Sequence, residues 1–144
     1  MTMADYKVFK TGCEGAKCPN LSCHEMGGIS YFHANKAIFR GSKFVVIAYS
    51  AEFTQITNSD LRDTHIERVG GSDLSGSNLR GAVIKLIDSD APGSVKLSGS
   101  DLRGATVVEI LNLDSVDFTG AIYDSASRLP FGDKEATARG MIKK

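Results

Sequence analysis

The chain has 144 residues, with 17 basic and 17 acidic side chains, so its formal net charge is zero. That balance excludes a protein that works by bulk positive or negative charge, and direct nucleic-acid binding is not expected. The length fits one domain with a sizeable core, and no apolar run is long enough to cross a bilayer.

Residues 1–10 are polar and lack the apolar stretch of a secretion signal. The expected location is therefore cytoplasmic, or extracytoplasmic should a signal have been removed. Residues 1–36 form an N-terminal segment in which Leu21, Met26 and Tyr31 keep a five-residue phase, as a degenerate first coil or cap would. The same segment holds all three cysteines, Cys13, Cys18 and Cys23, with His24 beside the last. Three thiolates and an imidazole are a donor set suited to zinc. The spacing lacks the tight C-x2-C knuckle of common structural sites, so one disulfide with a spare thiol, or three ordinary thiols, compete with it. The expectation is no metal and no other cofactor.

From residue 37 a repeat begins. Ala37-Ile38-Phe39-Arg40-Gly41, Ser59-Asp60-Leu61-Arg62-Asp63, Ser77-Asn78-Leu79-Arg80-Gly81 and Ser100-Asp101-Leu102-Arg103-Gly104 open four related segments, and Ala121-Ile122-Tyr123-Asp124 begins a fifth. The starts differ by 22, 18, 23 and 21 residues. Within each segment the period is five: Ser72-Asp73-Leu74-Ser75-Gly76 runs straight into Ser77, and Val95-Lys96-Leu97-Ser98-Gly99 into Ser100. Each five reads small, polar, large apolar, polar, glycine. A period of five fits neither a helical face nor an alternating strand. It fits a chain that turns a corner every five residues, with the central apolar residue and the small residue two places earlier pointing inward. Glycine near the corner permits backbone angles that other residues avoid. Four sides close one coil of about twenty residues, and stacked coils pair their backbones as strands do, at about 4.8 Å.

In phase, Phe39, Leu61, Leu79, Leu102 and Tyr123 fall on one side, Phe44, Ile66, Ile84 and Val107 on the next, and Ile56, Leu74, Leu97 and Phe118 on the last. Between the second and last of these the spacing is 12, 8, 13 and 11 residues, where strict repeats would give ten. One side of every coil is therefore irregular. Val69-Gly70-Gly71 is contracted there, and residues 88–94 extrude as a loop whose Asp88 and Asp90 are too few for a calcium site.

These tandem fives resemble the pentapeptide-repeat family, whose motif is Ala-Asp/Asn-Leu-X-X. The resemblance covers residues 37–124 and is of bacterial type. It implies an all-β fold, a right-handed quadrilateral β-helix over 37–125, closed by a C-terminal capping helix in 126–144. The segments Leu129-Pro130-Phe131 and Glu135-Ala136 are similar to those that end such helices. Asp133 is the expected N-cap of a short helix over 134–139 that Gly140 ends, with Lys143 and Lys144 near its C-terminus. Covering the last coil's open edge is its expected role. The alternative is a homodimer through this helix, by way of Phe131, Met141 and Ile142, rather than a monomer.

Arg40, Arg62, Arg80 and Arg103 each follow the inward residue of the same side, so they should stack as a column. Asp60, Asp63, Asp73 and Asp101 are candidate partners in an alternating ladder, and Arg40 has the fewest acids near it in sequence. The column is the candidate binding site; the alternative is an ordinary solvated ladder. No catalytic constellation is evident: His33 and His65 stand without catalytic company, and no serine has a nucleophile-elbow context. The expected function is a non-enzymatic scaffold that presents β-helix faces to an unidentified protein partner. Two alternatives stand beside it. The resemblance implies the first, a DNA-mimicking, topoisomerase (gyrase)-binding protein, which would need a strongly acidic surface. Residues 37–125 hold twelve acids against eight bases, only a mild excess. The second is a metal- or thiol-dependent protein using the N-terminal cysteines.

Overall fold

A computed structural model describes residues 33–47, 54–89 and 91–144. Over the described residues the chain winds into a parallel β-solenoid of about four turns with one short helix. Two sides of the coil are sheets. On one, β2 (Lys43–Ile47), β4 (His65–Val69), β6 (Val83–Ile87) and β8 (Thr106–Ile110) pair in that order. On the other, the order is β1 (His33–Asn35), β3 (Thr54–Thr57), β5 (Ser72–Asp73), β7 (Val95–Lys96) and β9 (Val116–Asp117). Every pairing is parallel, and each strand pairs with the equivalent strand one coil on: Ile66 lies beside Ile84, and Ile84 beside Val107. A further side carries single bridges that run Ile38, Asp60, Asn78, Asp101, Ile122. Hereafter this bridge side is the first side, the four-stranded sheet the second, and the five-stranded sheet the fourth.

The three columns read from the sequence fill the interior. Phe39, Leu61, Leu79 and Leu102 are sealed from solvent, and Tyr123 is 5% exposed at the end of the same column. Phe44, Ile66 and Ile84 fill the second column with Val107, and Ile56, Leu74, Leu97 and Phe118 the fourth-side column. At the first coil Phe39 meets Phe44 edge to face, with ring centroids 5.7 Å apart.

The residue two places before each core residue is also buried, a small one in most coils and valine at Val95 and Val116, and where it is serine its hydroxyl forms bonds. Ser59 Oγ accepts the Ala37 backbone N–H at 3.1 Å and donates to the Thr57 carbonyl at 2.9 Å. Ser77 Oγ accepts the Ser59 N–H at 3.1 Å and donates to the Ile56 carbonyl at 2.8 Å. A buried hydroxyl is costly only when unpaired, so serine fits where alanine is the default and adds bonds between coils.

The corners need left-handed backbone. Gly76, Gly81, Gly99 and Gly104 have φ of 67°, 70°, 64° and 67°, and Asn58 and Asp63 occupy the same corner position at 51° and 57°. Asn and Asp are the non-glycine residues that visit this region most readily. The third side is the irregular one: Val69, Gly70 and Gly71 cross it directly in one coil. The next coil needs residues 87–94, and the one after adds a 3-10 turn at Leu113–Ser115.

The C-terminal end closes the solenoid. β10 (Ile122–Tyr123) pairs with β11 (Ile142–Lys143), so the chain's own tail becomes the next strand of the first side. Between them lies α1 (Asp133–Ala138), which buries Ala136. Phe131 packs edge to face on Phe118 with centroids 5.6 Å apart, and Met141 is 6% exposed. The helix begins one residue earlier than expected, with Gly132 as N-cap. Asp133 cannot cap because its carboxylate is taken: Tyr123 Oη donates to Oδ1 at 3.1 Å and Lys143 Nζ to Oδ2 at 2.6 Å. Lys143 therefore serves the start of the helix rather than its end. Of the three residues considered for a dimer contact, Met141 faces the core, Phe131 is packed on Phe118, and Ile142 is 45% exposed.

Candidate functional site

The four arginines lie on one side of the solenoid, in register. The Gly41 N–H donates to the Arg62 carbonyl at 3.0 Å, the Asp63 N–H to that of Arg80 at 3.0 Å, and the Gly81 N–H to that of Arg103 at 3.2 Å. These bonds fix Arg40, Arg62, Arg80 and Arg103 at equivalent positions in successive coils. Neighbouring backbones are about 4.8 Å apart.

Their partners are set within each five-residue repeat. Arg62 Nε donates to Asp60 Oδ1 at 2.9 Å and Nη2 to Oδ2 at 2.7 Å, while the Arg62 backbone N–H donates to the same Oδ1 at 3.1 Å. Asp101 and Arg103 repeat this geometry, with bonds of 3.0, 2.7 and 3.1 Å. A planar guanidinium meets a carboxylate on two parallel bonds, the strong form of the contact. The Arg62 side chain accordingly holds the Asp60 carboxyl below the usual carboxylate range, and Arg103 does the same to Asp101.

The other two arginines differ because the residue two places earlier differs. Before Arg40 stands Ile38, and Arg40 only approaches Asp63 of the next coil, at 3.8 Å, with the two side chains 57% and 61% exposed. Before Arg80 stands Asn78. Its Oδ1 accepts the Arg80 backbone N–H at 3.2 Å, as an aspartate would, but offers the guanidinium no charge. Among the described residues Arg80 makes no ion pair and is exposed. The ladder expected between coils is thus mostly two separate clamps within repeats, and Arg80 rather than Arg40 is left over. Asp73 is no partner of the column: its Oδ1 accepts the Ser75 backbone N–H at 2.9 Å and the Ser75 hydroxyl.

The second side carries its own surface network. His65 Nε2 lies 2.8 Å from Glu67 Oε1, and Lys85 of the next coil lies 3.5 Å from that oxygen. Arg68 pairs with Asp88 at 2.7 Å, which engages one of the two acids of the third-side loop. Val108 and Leu111, each 59% exposed, follow on the same flank. Among the described residues no group of three or more His, Cys, Asp or Glu is placed to hold a metal ion. Cys13, Cys18, Cys23 and His24 lie outside the described residues. No described helix is long and apolar enough to cross a membrane.

No protein-family model matches the chain, and no curated protein matches it. Solved structures do. A pentapeptide repeat protein, Rfr23 from the cyanobacterium Cyanothece 51142, is 16% identical over 88% of this chain and 99% of its own, with a TM-score of 0.39. One from the thylakoid lumen of Arabidopsis thaliana is 19% identical over 88% of this chain and 69% of its own, with a TM-score of 0.38. QnrB1, a plasmid-mediated fluoroquinolone resistance protein, is 16% identical over 92% of this chain and 79% of its own, with a TM-score of 0.33. The inward columns, the left-handed corners and the coil-to-coil register of this chain make its fold a pentapeptide-repeat β-helix.

Proposed function

We propose that the protein is a non-enzymatic scaffold whose first side docks a protein partner. The observation that carries this reading is the registered arginine column. Four guanidiniums repeat on one side whose backbone is held coil to coil, and Arg62 and Arg103, clamped by their own aspartates, alternate with the exposed Arg40 and Arg80 at set positions. A recognition surface gains most from side chains whose geometry is fixed before the partner arrives. Arginine is also among the residues enriched at the energetic centres of interfaces.

Affinity capture from the native cell, with mass spectrometry, tests the reading when run with wild type beside an Arg40→Glu, Arg103→Glu variant. A partner retained by wild type and lost by the variant is the expected result. Partners captured equally by both would reject the arginine column as the docking strip.

A topoisomerase-binding DNA mimic would have to present regularly spaced negative charge. The arginines interrupt the first side at every coil from Arg40 to Arg103, which argues against that role. Failure to inhibit supercoiling is the expected outcome of a gyrase assay.

A further inference from the structure

The residue two places before each arginine alternates: Ile38, Asp60, Asn78, Asp101. Its consequence is visible in the geometry. Where it is aspartate, both guanidinium bonds that could grip a planar carboxylate are already made, to Asp60 and to Asp101. Where it is not, the guanidinium is loosely engaged, as at Arg40 with Asp63 at 3.8 Å, or has no ion pair among the described residues, as at Arg80. Accessible positive charge therefore recurs at every second coil, about 10 Å apart at one strand spacing per coil.

We propose, resting on the scaffold reading above, that Arg40 and Arg80 receive two carboxylates from an acidic helical segment of a partner protein. The spacing selects the helix. Residues seven apart on an α-helix lie on one face and are about 10.5 Å apart along its axis. In an extended strand, residues on the same face are about 6.7 or 13.4 Å apart, and the intermediate step points to the opposite face. The charge pattern selects a peptide over a nucleic acid. Asp60, Asp63 and Asp101 lie on the same side as the arginines. They would repel a continuous phosphate backbone, whereas carboxylates placed singly can pass between them. Asp63 competes with the ligand for Arg40, so Arg80 is the stronger of the two positions.

This account makes the residue before the arginine a specificity switch, and the chain itself supplies the variants. Asn78→Asp turns the third repeat into a copy of the second and fourth, whose aspartates keep the same bond to the backbone N–H. It should fold as wild type and close Arg80. Asp63→Asn keeps a residue suited to the left-handed corner at φ 57° and releases Arg40. The probe is a fluorescent helix-forming peptide with glutamates seven residues apart. Its controls are the same peptide with the glutamates three apart and a single-stranded oligonucleotide. Binding is read by anisotropy at low salt. The expected result is that Asn78→Asp and Arg80→Ala each weaken the seven-spaced peptide about tenfold, and that Asp63→Asn tightens it. Equal binding of both peptides, tighter binding of the oligonucleotide, or indifference to Asn78→Asp would overturn the proposal. A native partner that depends on Arg40 and Arg103 but ignores Asn78→Asp would overturn it too, while leaving the scaffold reading in place.

Discussion

The Asn58 side chain of one coil lies over Gly76 of the next: a Cβ on Gly76 would stand 2.3 Å from Asn58 Oδ1. That oxygen belongs to an amide whose nitrogen donates to Asn35 Oδ1 at 3.2 Å, so the asparagine is tied on its other side. Gly99 occupies the same corner one coil later, at φ 64°, and a Cβ there would meet nothing within 4 Å.

The comparison separates two costs of leaving glycine. Gly99→Ala meets only the left-handed backbone, a loss of about 1–2 kcal/mol. Gly76→Ala meets the same strain and must also push Asn58 aside, breaking its bond to Asn35. Urea unfolding should place Gly76→Ala below Gly99→Ala in stability. Equal midpoints would show that Asn58 swings away freely.

Leu79 sits in the middle of the first-side column, fully buried, with Leu61 before it and Leu102 after it. Leu79→Ala should cost about 2–5 kcal/mol, because the neighbouring coils are held at strand spacing and cannot collapse into the space. A loss under about 0.5 kcal/mol, the scale of a surface change, would contradict a rigid stack.

Acid should weaken the clamps. The side-chain bonds from Arg62 and Arg103 depress the Asp60 and Asp101 carboxyls from the ordinary 3.8. A carboxyl with a lower value in the folded chain contributes stability that is present above its unfolded value. That stability is lost as pH falls through the folded one. Denaturation midpoints for wild type should therefore fall as pH drops below about 4. An Asp60→Asn, Asp101→Asn variant should be less stable at neutral pH and should lose less on acidification. Parallel curves would remove the two clamps from the acid response.

Surface pairs contribute modestly even when well formed. Arg62→Ala should cost up to about 1 kcal/mol, and Arg80→Ala, with no ion pair to lose among the described residues, close to nothing. Thermal unfolding of the two variants checks the order. A larger loss at Arg80 would mean that it has structural partners in solution.

The tail should guard against self-association. The Ile142 N–H donates to the Ala121 carbonyl and the Lys144 N–H to that of Tyr123. A chain ending at Gly140 would leave the β10 edge open, next to the newly uncovered Met141 site. Such edges template pairing with other chains. Size-exclusion chromatography should show the truncated chain as larger species at concentrations where the full chain gives one peak.

The core columns and the corners were legible in the sequence because each coil makes the same demand at the same phase: Phe39, Leu61, Leu79 and Leu102 answer one steric question four times. Ion pairing was less legible. Counting acids near each arginine points to Arg40 as the free one, yet the decisive position is the one two residues back, where Asn78 replaces aspartate. That signal was present but becomes readable only once the Asp60–Arg62 geometry is known. The N-cap was missed for a related reason. Asp133 has the right chemistry for a cap, but Tyr123 and Lys143, remote in sequence, draw its carboxylate elsewhere.

The third side has an evolutionary corollary. One coil crosses it with Val69, Gly70 and Gly71, the next with residues 87–94, yet both return to the same strand alignment on the fourth side, where Asp73 lies beside Lys96. On the near flank the Asp88 N–H still reaches the Val69 carbonyl at 2.9 Å. A gain or loss of residues there does not shift the phase of anything downstream. The solenoid can thus accumulate length changes on one flank while the other three stay in frame, which makes that flank the natural place for a new sequence to be added.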